Sequence, residues 1–131
     1  GTELIPITYR SIEEQAAHLA REVSRLVTRE GVRPAQIVIL VLGRPKNQFY
    51  DALTKHSLGK STGWSIEVHD PERVLMETVK RFKGLEAEIV FLWLSPVPNE
   101  SDDRESLYVG LSRAKSMLYV VGTESACIAL S

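Results

Sequence analysis

Three short runs are apolar at consecutive positions: Ile37 to Leu42, Ile89 to Leu94 and Met117 to Val121. A strand turns successive side chains to opposite faces, so a run without polar alternation needs cover on both sides. None approaches the ~18 residues that a membrane span requires. Strands buried on both faces mark a parallel sheet, because its crossovers lay helices over each face. The runs therefore predict an α/β layer fold with a mainly parallel central sheet.

The intervening sequence supplies the crossovers. Ile5 to Arg10 is a β-prone run with Pro6 near its start, where a missing N–H matters least. Ser11 caps the helix that follows, with Glu14 at the capping-box spacing. Ile12, Ala16, Leu19, Ala20, Val23, Leu26 and Val27 recur at helical spacing, and Gly31 and then Pro34 end the helix. Asn47 is expected to cap a second helix reaching about Lys55. Leu58 to Gly63 reads as a loop and Ser65 to His69 as an edge strand. Met76 to Val79 is a brief strand, Lys80 to Gly84 a basic loop, and Leu85 to Glu88 one helical turn. Ser95 to Ser101 is a Pro-containing loop. Asp102 or Asp103 caps a helix to about Ser116, and Glu124 to Leu130 begins a last one.

A chain of 131 residues is the length of one domain. Sixteen Lys and Arg against seventeen Asp and Glu leave a net charge of −1, so a nucleic-acid contact must be a local patch. The single Cys127 excludes an internal disulfide and an all-Cys zinc site, and fits a reducing, cytoplasmic compartment. His18, His56 and His69 lack ligand spacing, so no metal site is expected. The N-terminus has no charged and then apolar leader, and no membrane segment is present. The chain opens on Gly rather than Met and stays apolar to Leu130, which suggests a piece of something longer.

Ligands of doubly wound sheets bind beyond the carboxyl ends of the strands, and two stretches are expected at that address. Thr78-Val79-Lys80-Arg81-Phe82-Lys83-Gly84-Leu85-Glu86 puts three cations in four positions after a strand. Gly84 permits close backbone approach, and N–H groups of a following helical turn favour an anion. A solvated basic loop beside Glu77, Glu86 and Glu88 has the same composition. Leu107 to Lys115 reads as a helix with Leu107, Leu111 and Ala114 on one face. Arg113 and Lys115 there either complement the helix dipole or, for Arg113, offer a planar fork to phosphate. Trp93 and Phe91 read as core; Trp64 and Phe82 are open for base stacking.

Taken together, the two stretches resemble motifs V and VI of the UvrD/Rep/PcrA-like superfamily 1 DNA helicases. Thr78, Val79, Lys83, Gly84, Leu85 and Glu86 match motif V ahead of the Ile89 strand. Leu107 to Ala114 match motif VI ahead of the Met117 strand, which stops at Gly122. The resemblance is strong over residues 75–122 and weaker upstream, through Glu13 to Ala16 and Gly31-Val32-Arg33-Pro34. Tyr9-Arg10 is similar to a motif IV pair, but the helix after it matches a later segment, so that match is coincidental.

The resemblance implies the C-terminal RecA-like domain of such a helicase, a three-layer P-loop NTPase-type fold, occupying residues 1–131. Arg113 would be the catalytic arginine finger at the γ-phosphate of ATP. Gly84 and Glu86 would join it in binding nucleotide, Glu86 at the sugar. Thr78, Lys80 and Arg81 would contact single-stranded DNA. ATP and Mg²⁺ would be held mainly by an N-terminal RecA-like partner domain, and this piece alone would hydrolyse nothing. Its own Gly59-Lys60-Ser61 has only the tail of a phosphate loop, since Thr54 stands where the first Gly belongs. Lys80 replaces a His usual in motif V, and about twenty residues stand where a large accessory insert is common. Both departures leave open an alternative, a non-catalytic helicase-like module that docks or binds nucleic acid.

Overall fold

The computed structural model describes residues 2–59, 62–95 and 101–128. Six strands form one sheet: β1 (Glu3–Thr8), β2 (Ile37–Gly43), β3 (Trp64–Ile66), β4 (Val74–Thr78), β5 (Ala87–Ser95) and β6 (Ala114–Gly122). They stand in the order β1-β6-β5-β2-β4-β3, and every pairing is parallel. The three apolar runs are the three central strands, as two-sided burial requires. Ile39, Leu40, Val90, Phe91, Leu92, Trp93 and Val121 are fully enclosed.

Alternation along these strands divides the core in two. Ile37, Ile39, Val41, Phe91, Trp93, Tyr119 and Val121 pack against α1 (Ile12–Thr28) and α2 (Lys46–Thr54). Val38, Leu40, Val90, Leu92, Leu118 and Val120 pack against the other layer. That layer consists of the turn segment 79–84, α3 (Ser101–Leu111) and the short α4 (Glu124–Ile128).

Helix α1 starts as its sequence indicates. The Ser11 hydroxyl accepts the Glu14 N–H at 3.1 Å, and Gly31 adopts φ +69° after the last turn. Its buried face also includes Gln15, an amide among aliphatic neighbours. Gln15 Nε2 donates to the Tyr9 carbonyl at 2.8 Å, and its Oε1 accepts the Trp93 indole N–H at 2.9 Å. The side chain thus pins the entry of α1 to the middle of β5.

Several boundaries differ from the sequence expectations. Helix α2 begins at Lys46 with Pro45 at the cap, not Asn47. Proline's fixed φ suits that position. Helix α3 stops at Leu111 rather than near Ser116. The Val109 carbonyl receives the Ser112 N–H at 3.2 Å, the Ser112 hydroxyl at 2.9 Å and Arg113 Nε at 3.1 Å, which closes the last turn. Ala114 then pairs with Ala87 in the sheet. No helical turn spans Leu85 to Glu88: the turns occupy 79–84, and β5 begins at Ala87. The proposed loop from Ser95 to Ser101, the Asp102 or Asp103 cap, and Lys60-Ser61 fall wholly or partly outside the described residues. Among the described residues, no helix is long and apolar enough to cross a membrane.

Candidate functional site

A parallel sheet has two distinct rims, and the predicted residues divide between them. Strand β4 ends at Thr78, opposite Val41, on the carboxyl rim. The segment 79–86 then runs along the face of the sheet and delivers Glu86 to the amino end of β5. Arg113 precedes β6 on that same amino rim. The expectation that both stretches sit at the carboxyl ends therefore holds for Thr78, Lys80 and Arg81 but not for Glu86 and Arg113. Strand direction decides this: a residue just before a parallel strand lies at the opposite rim from one just after it.

On the amino rim, Arg113 is built into the backbone around Glu86. Its Nη1 donates to the Leu85 carbonyl at 3.3 Å, and its own carbonyl accepts the Ala87 N–H at 3.0 Å. Nε also reaches the Val109 carbonyl, and Nη2 donates to the Ser112 hydroxyl at 2.9 Å. Every partner is neutral, and among the described residues no carboxylate lies within ion-pair distance of Arg113. A half-buried guanidinium held by neutral oxygens keeps its full charge available to an anion. Glu86 and Leu85 beside it are exposed. Gly84, at φ +88°, makes the left-handed bend between the turns and Leu85 and Glu86, which lead into β5.

Toward the carboxyl rim, Thr78 and Arg81 are tied to each other. The Thr78 hydroxyl accepts the Arg81 N–H at 3.3 Å, and the Thr78 carbonyl accepts the Phe82 N–H at 3.2 Å. Lys80, Arg81 and Lys83 are exposed. Lys80 and Lys83 line a cleft of about 350 Å³ with Val79, Glu105, Ser106 and Val109, between the turn segment and α3. Phe82 is buried at 4% exposure against the second core, so it is anchored away from any base. Trp64 is half-buried, its indole N–H given to the His56 carbonyl at 2.8 Å.

Sequence reasoning passed over Glu77. This carboxylate is 6% exposed inside β4, yet its Oε1 lies 2.9 Å from Arg81 Nε and accepts the Thr78 N–H at 2.9 Å. The Glu77 carboxylate raises the Arg81 pKa above its ordinary value, first through the hydrogen bond and then through its charge. The available signal was a lone acid in an apolar strand, four positions ahead of an arginine. Among the described residues, no group of three or more His, Cys, Asp or Glu side chains could hold a metal ion.

Comparison with known proteins covers the same region. Residues 74–121 match the family of UvrD-like helicase C-terminal domains. Over 56 residues the chain is 38% identical to the mitochondrial ATP-dependent DNA helicase HMI1 of Saccharomyces cerevisiae; this is 43% of the chain and 8% of that protein's length. The crystal structure of the C-terminal domain of a possible DNA helicase from Lactobacillus plantarum WCFS1 shares the fold. Its TM-score is 0.67 at 18% identity, over 93% of this chain and 73% of that one. The similarity to UvrD-like helicase C-terminal domains thus lies in the motif-bearing segment 74–121, seated in an α/β sheet whose fold that solved domain shares.

Proposed function

We propose that this chain is the C-terminal motor half of an ATP-dependent DNA helicase or translocase. The reading rests above all on Arg113. It is a charged fork with neutral partners only, fixed at the amino rim on either side of Glu86 by the Leu85 and Ala87 backbone bonds. Phosphoryl transfer is catalysed mainly by positioning and by stabilising charge as it develops, and a guanidinium supplied from across a domain cleft does both. In this reading Arg113 faces the γ-phosphate of ATP held by an N-terminal RecA-like domain. Glu86 accepts a hydrogen bond from the sugar, and Gly84 keeps the adjoining backbone close to the phosphates. The residues present suit this part of the work, a cation and a carboxylate on one rim. Any Mg²⁺ would be held by the partner domain, where it would help neutralise the phosphate charge.

Thr78 and Lys80 meet the backbone of single-stranded DNA toward the opposite rim. Lys80 serves as a point charge where the family commonly has His. Arg81 adds positive charge to the same turn. One continuous segment, 79–86, therefore connects the DNA contact to the nucleotide contact.

The test is DNA-stimulated ATP hydrolysis by this chain in its full-length protein. Arg113→Ala is expected to lower the turnover by ~10³-fold or more, the usual contribution of an arginine finger. Activity within about threefold of the parent refutes the assignment and favours the docking-module reading.

A further inference from the structure

Arg81 is one of three cations on the proposed DNA-binding turn, but its surroundings differ from those of Lys80 and Lys83. Among the described residues, Arg81 is the cation within ion-pair distance of Glu77. Glu77 is enclosed in the sheet, and a buried carboxylate stripped of its counter-charge is strongly unfavourable. If Arg81 swung out to a phosphate, Glu77 would keep, among the described residues, only the Thr78 N–H. The bonds also close a ring. Glu77 Oε1 holds both the Thr78 N–H and Arg81 Nε, while the Thr78 hydroxyl holds the Arg81 N–H. Lys80 sits inside that ring, between its two fixed ends.

We propose that Glu77 and Arg81 form a clamp that positions Thr78 and Lys80 for single-stranded DNA, with Arg81 acting as a strut rather than as a phosphate ligand. The inference rests on the DNA-contact reading above and deepens it. Glu77 and Arg81 are thus positioning residues acting through their neighbours. The neighbourhood agrees. Glu67, after β3, lies near enough to Arg81 to add to its electrostatic stabilisation, and is itself tied to Lys46 Nζ at 2.6 Å and the Tyr50 hydroxyl at 3.0 Å. Among the described residues, Arg81 therefore has one carboxylate within ion-pair distance, Glu77, and Lys80 has none.

The experiment titrates the full-length protein with a fluorescein-labelled oligothymidylate across a range of salt concentrations. Each phosphate that a protein neutralises on a single strand steepens the slope of log affinity against log salt by about 0.7. Lys80→Ala should flatten the slope by about that amount. Arg81→Ala should weaken binding several-fold with the slope unchanged. Glu77→Gln, which keeps shape and an acceptor for the Thr78 N–H, should do the same. Glu77→Gln with Arg81→Ala should be no worse than Arg81→Ala alone. Amide exchange at Arg81 and Phe82 should quicken in Glu77→Gln, a readout that needs no DNA. A flattened slope in Arg81→Ala overturns the proposal by making Arg81 a phosphate ligand. So does unchanged affinity in both variants while the parent binds, which leaves the DNA reading intact. If the unmutated protein ignores the oligonucleotide, the DNA reading itself falls and carries the positioning role with it, whatever the exchange rates show.

Discussion

Replacing Gln15 by Leu isolates the polar pin between α1 and the sheet. Gln15 is 1% exposed and Trp93 is fully buried, so neither partner has water to fall back on. Leucine leaves the Trp93 N–H without the acceptor it now has at 2.9 Å. An unpaired buried donor costs about 1–3 kcal/mol. The Tyr9 carbonyl loses its 2.8 Å donor as well, but Tyr9 is only half-buried and water can replace much of that bond. Leucine's greater apolar burial returns about 1 kcal/mol. The net expectation is a loss of about 1 kcal/mol. Unfolding entropy near 2.1 cal/mol/K per residue over this chain converts that to a fall in Tm of about 4 °C. Thermal unfolding followed by circular dichroism measures it, with an exposed-site change such as Glu13→Ala as control. Trp93→Phe removes the orphaned donor, so Gln15→Leu should be less harmful in that background than in the parent. A Tm within about 2 °C of the parent, or strictly additive losses, would refute the reasoning.

Other substitutions and pH test separate parts of the structure. Gly122→Ala would place a Cβ 2.8 Å from the Leu94 carbonyl oxygen, a backbone atom that cannot step aside; a loss of about 1–3 kcal/mol in chemical denaturation is expected. Gly84→Ala meets open space but a φ of +88°, so backbone strain alone should lower stability by about 1 kcal/mol and disturb Glu86 placement, read as a raised KM for ATP in the full-length protein. The hydrogen bond from Arg25 holds Glu22 below its ordinary pKa of 4.5, with the Tyr119 hydroxyl assisting against the opposing effect of burial. A depressed carboxylate pKa contributes stability above pH 4.5 that disappears as the pH falls through the folded value. Glu22→Gln should therefore narrow the stability gap between neutral pH and about pH 3. Burial first, then Glu67 and Glu22 respectively, pushes the Tyr50 and Tyr119 phenols above their ordinary 10. Their ionisation at 295 nm should lag behind that of the same phenols in the denatured chain as the pH rises past 10, and the raised values mean stability falls there.

What the sequence reveals and what it withholds follow one physical distinction. Apolar runs and the Ser11–Glu14 cap are local patterns, and they located the central strands and α1 directly. The approximate extent of α2 and the edge position of β3 were legible for the same reason. The match of 74–121 to motif spacing was also local, since strand ends and turns fix which residues adjoin. The rim to which each residue belongs is not local: it depends on strand direction and on where each crossover finishes, which moved Glu86 and Arg113 to the amino rim. Partnerships across distance were likewise hidden. Gln15 and Trp93 are separated by 78 positions. Glu77 was hidden for a different reason, because the i,i+4 pair with Arg81 spans a strand and a turn rather than a helix. Phe82 looked available because its neighbours are charged, yet the turn rolls that ring inward while Lys80, Arg81 and Lys83 stay out.

The length of segment 79–86 gives that turn a mechanical consequence. Thr78 stands level with Val41 of β2, Ile89 with Ile37, and Ala87 two residues further toward the amino rim. At ~3.3 Å per residue, the segment must cover about 20 Å along the sheet while passing over β2. Parallel crossovers usually take a dozen or more residues and a helix to do this. Here residues 79–84 are coiled into turns and only Leu85 and Glu86 stand between them and β5, so the connection has little length to spare. Phe82 fastens the middle to the core, and Glu77 fastens the start. A displacement of Thr78 or Lys80 in the proposed motor would then have little slack to absorb it and would reach the Leu85 carbonyl, the atom that Arg113 holds. In the proposed motor, this is a direct covalent route by which a strand of DNA at one rim and a nucleotide at the other bias each other's binding.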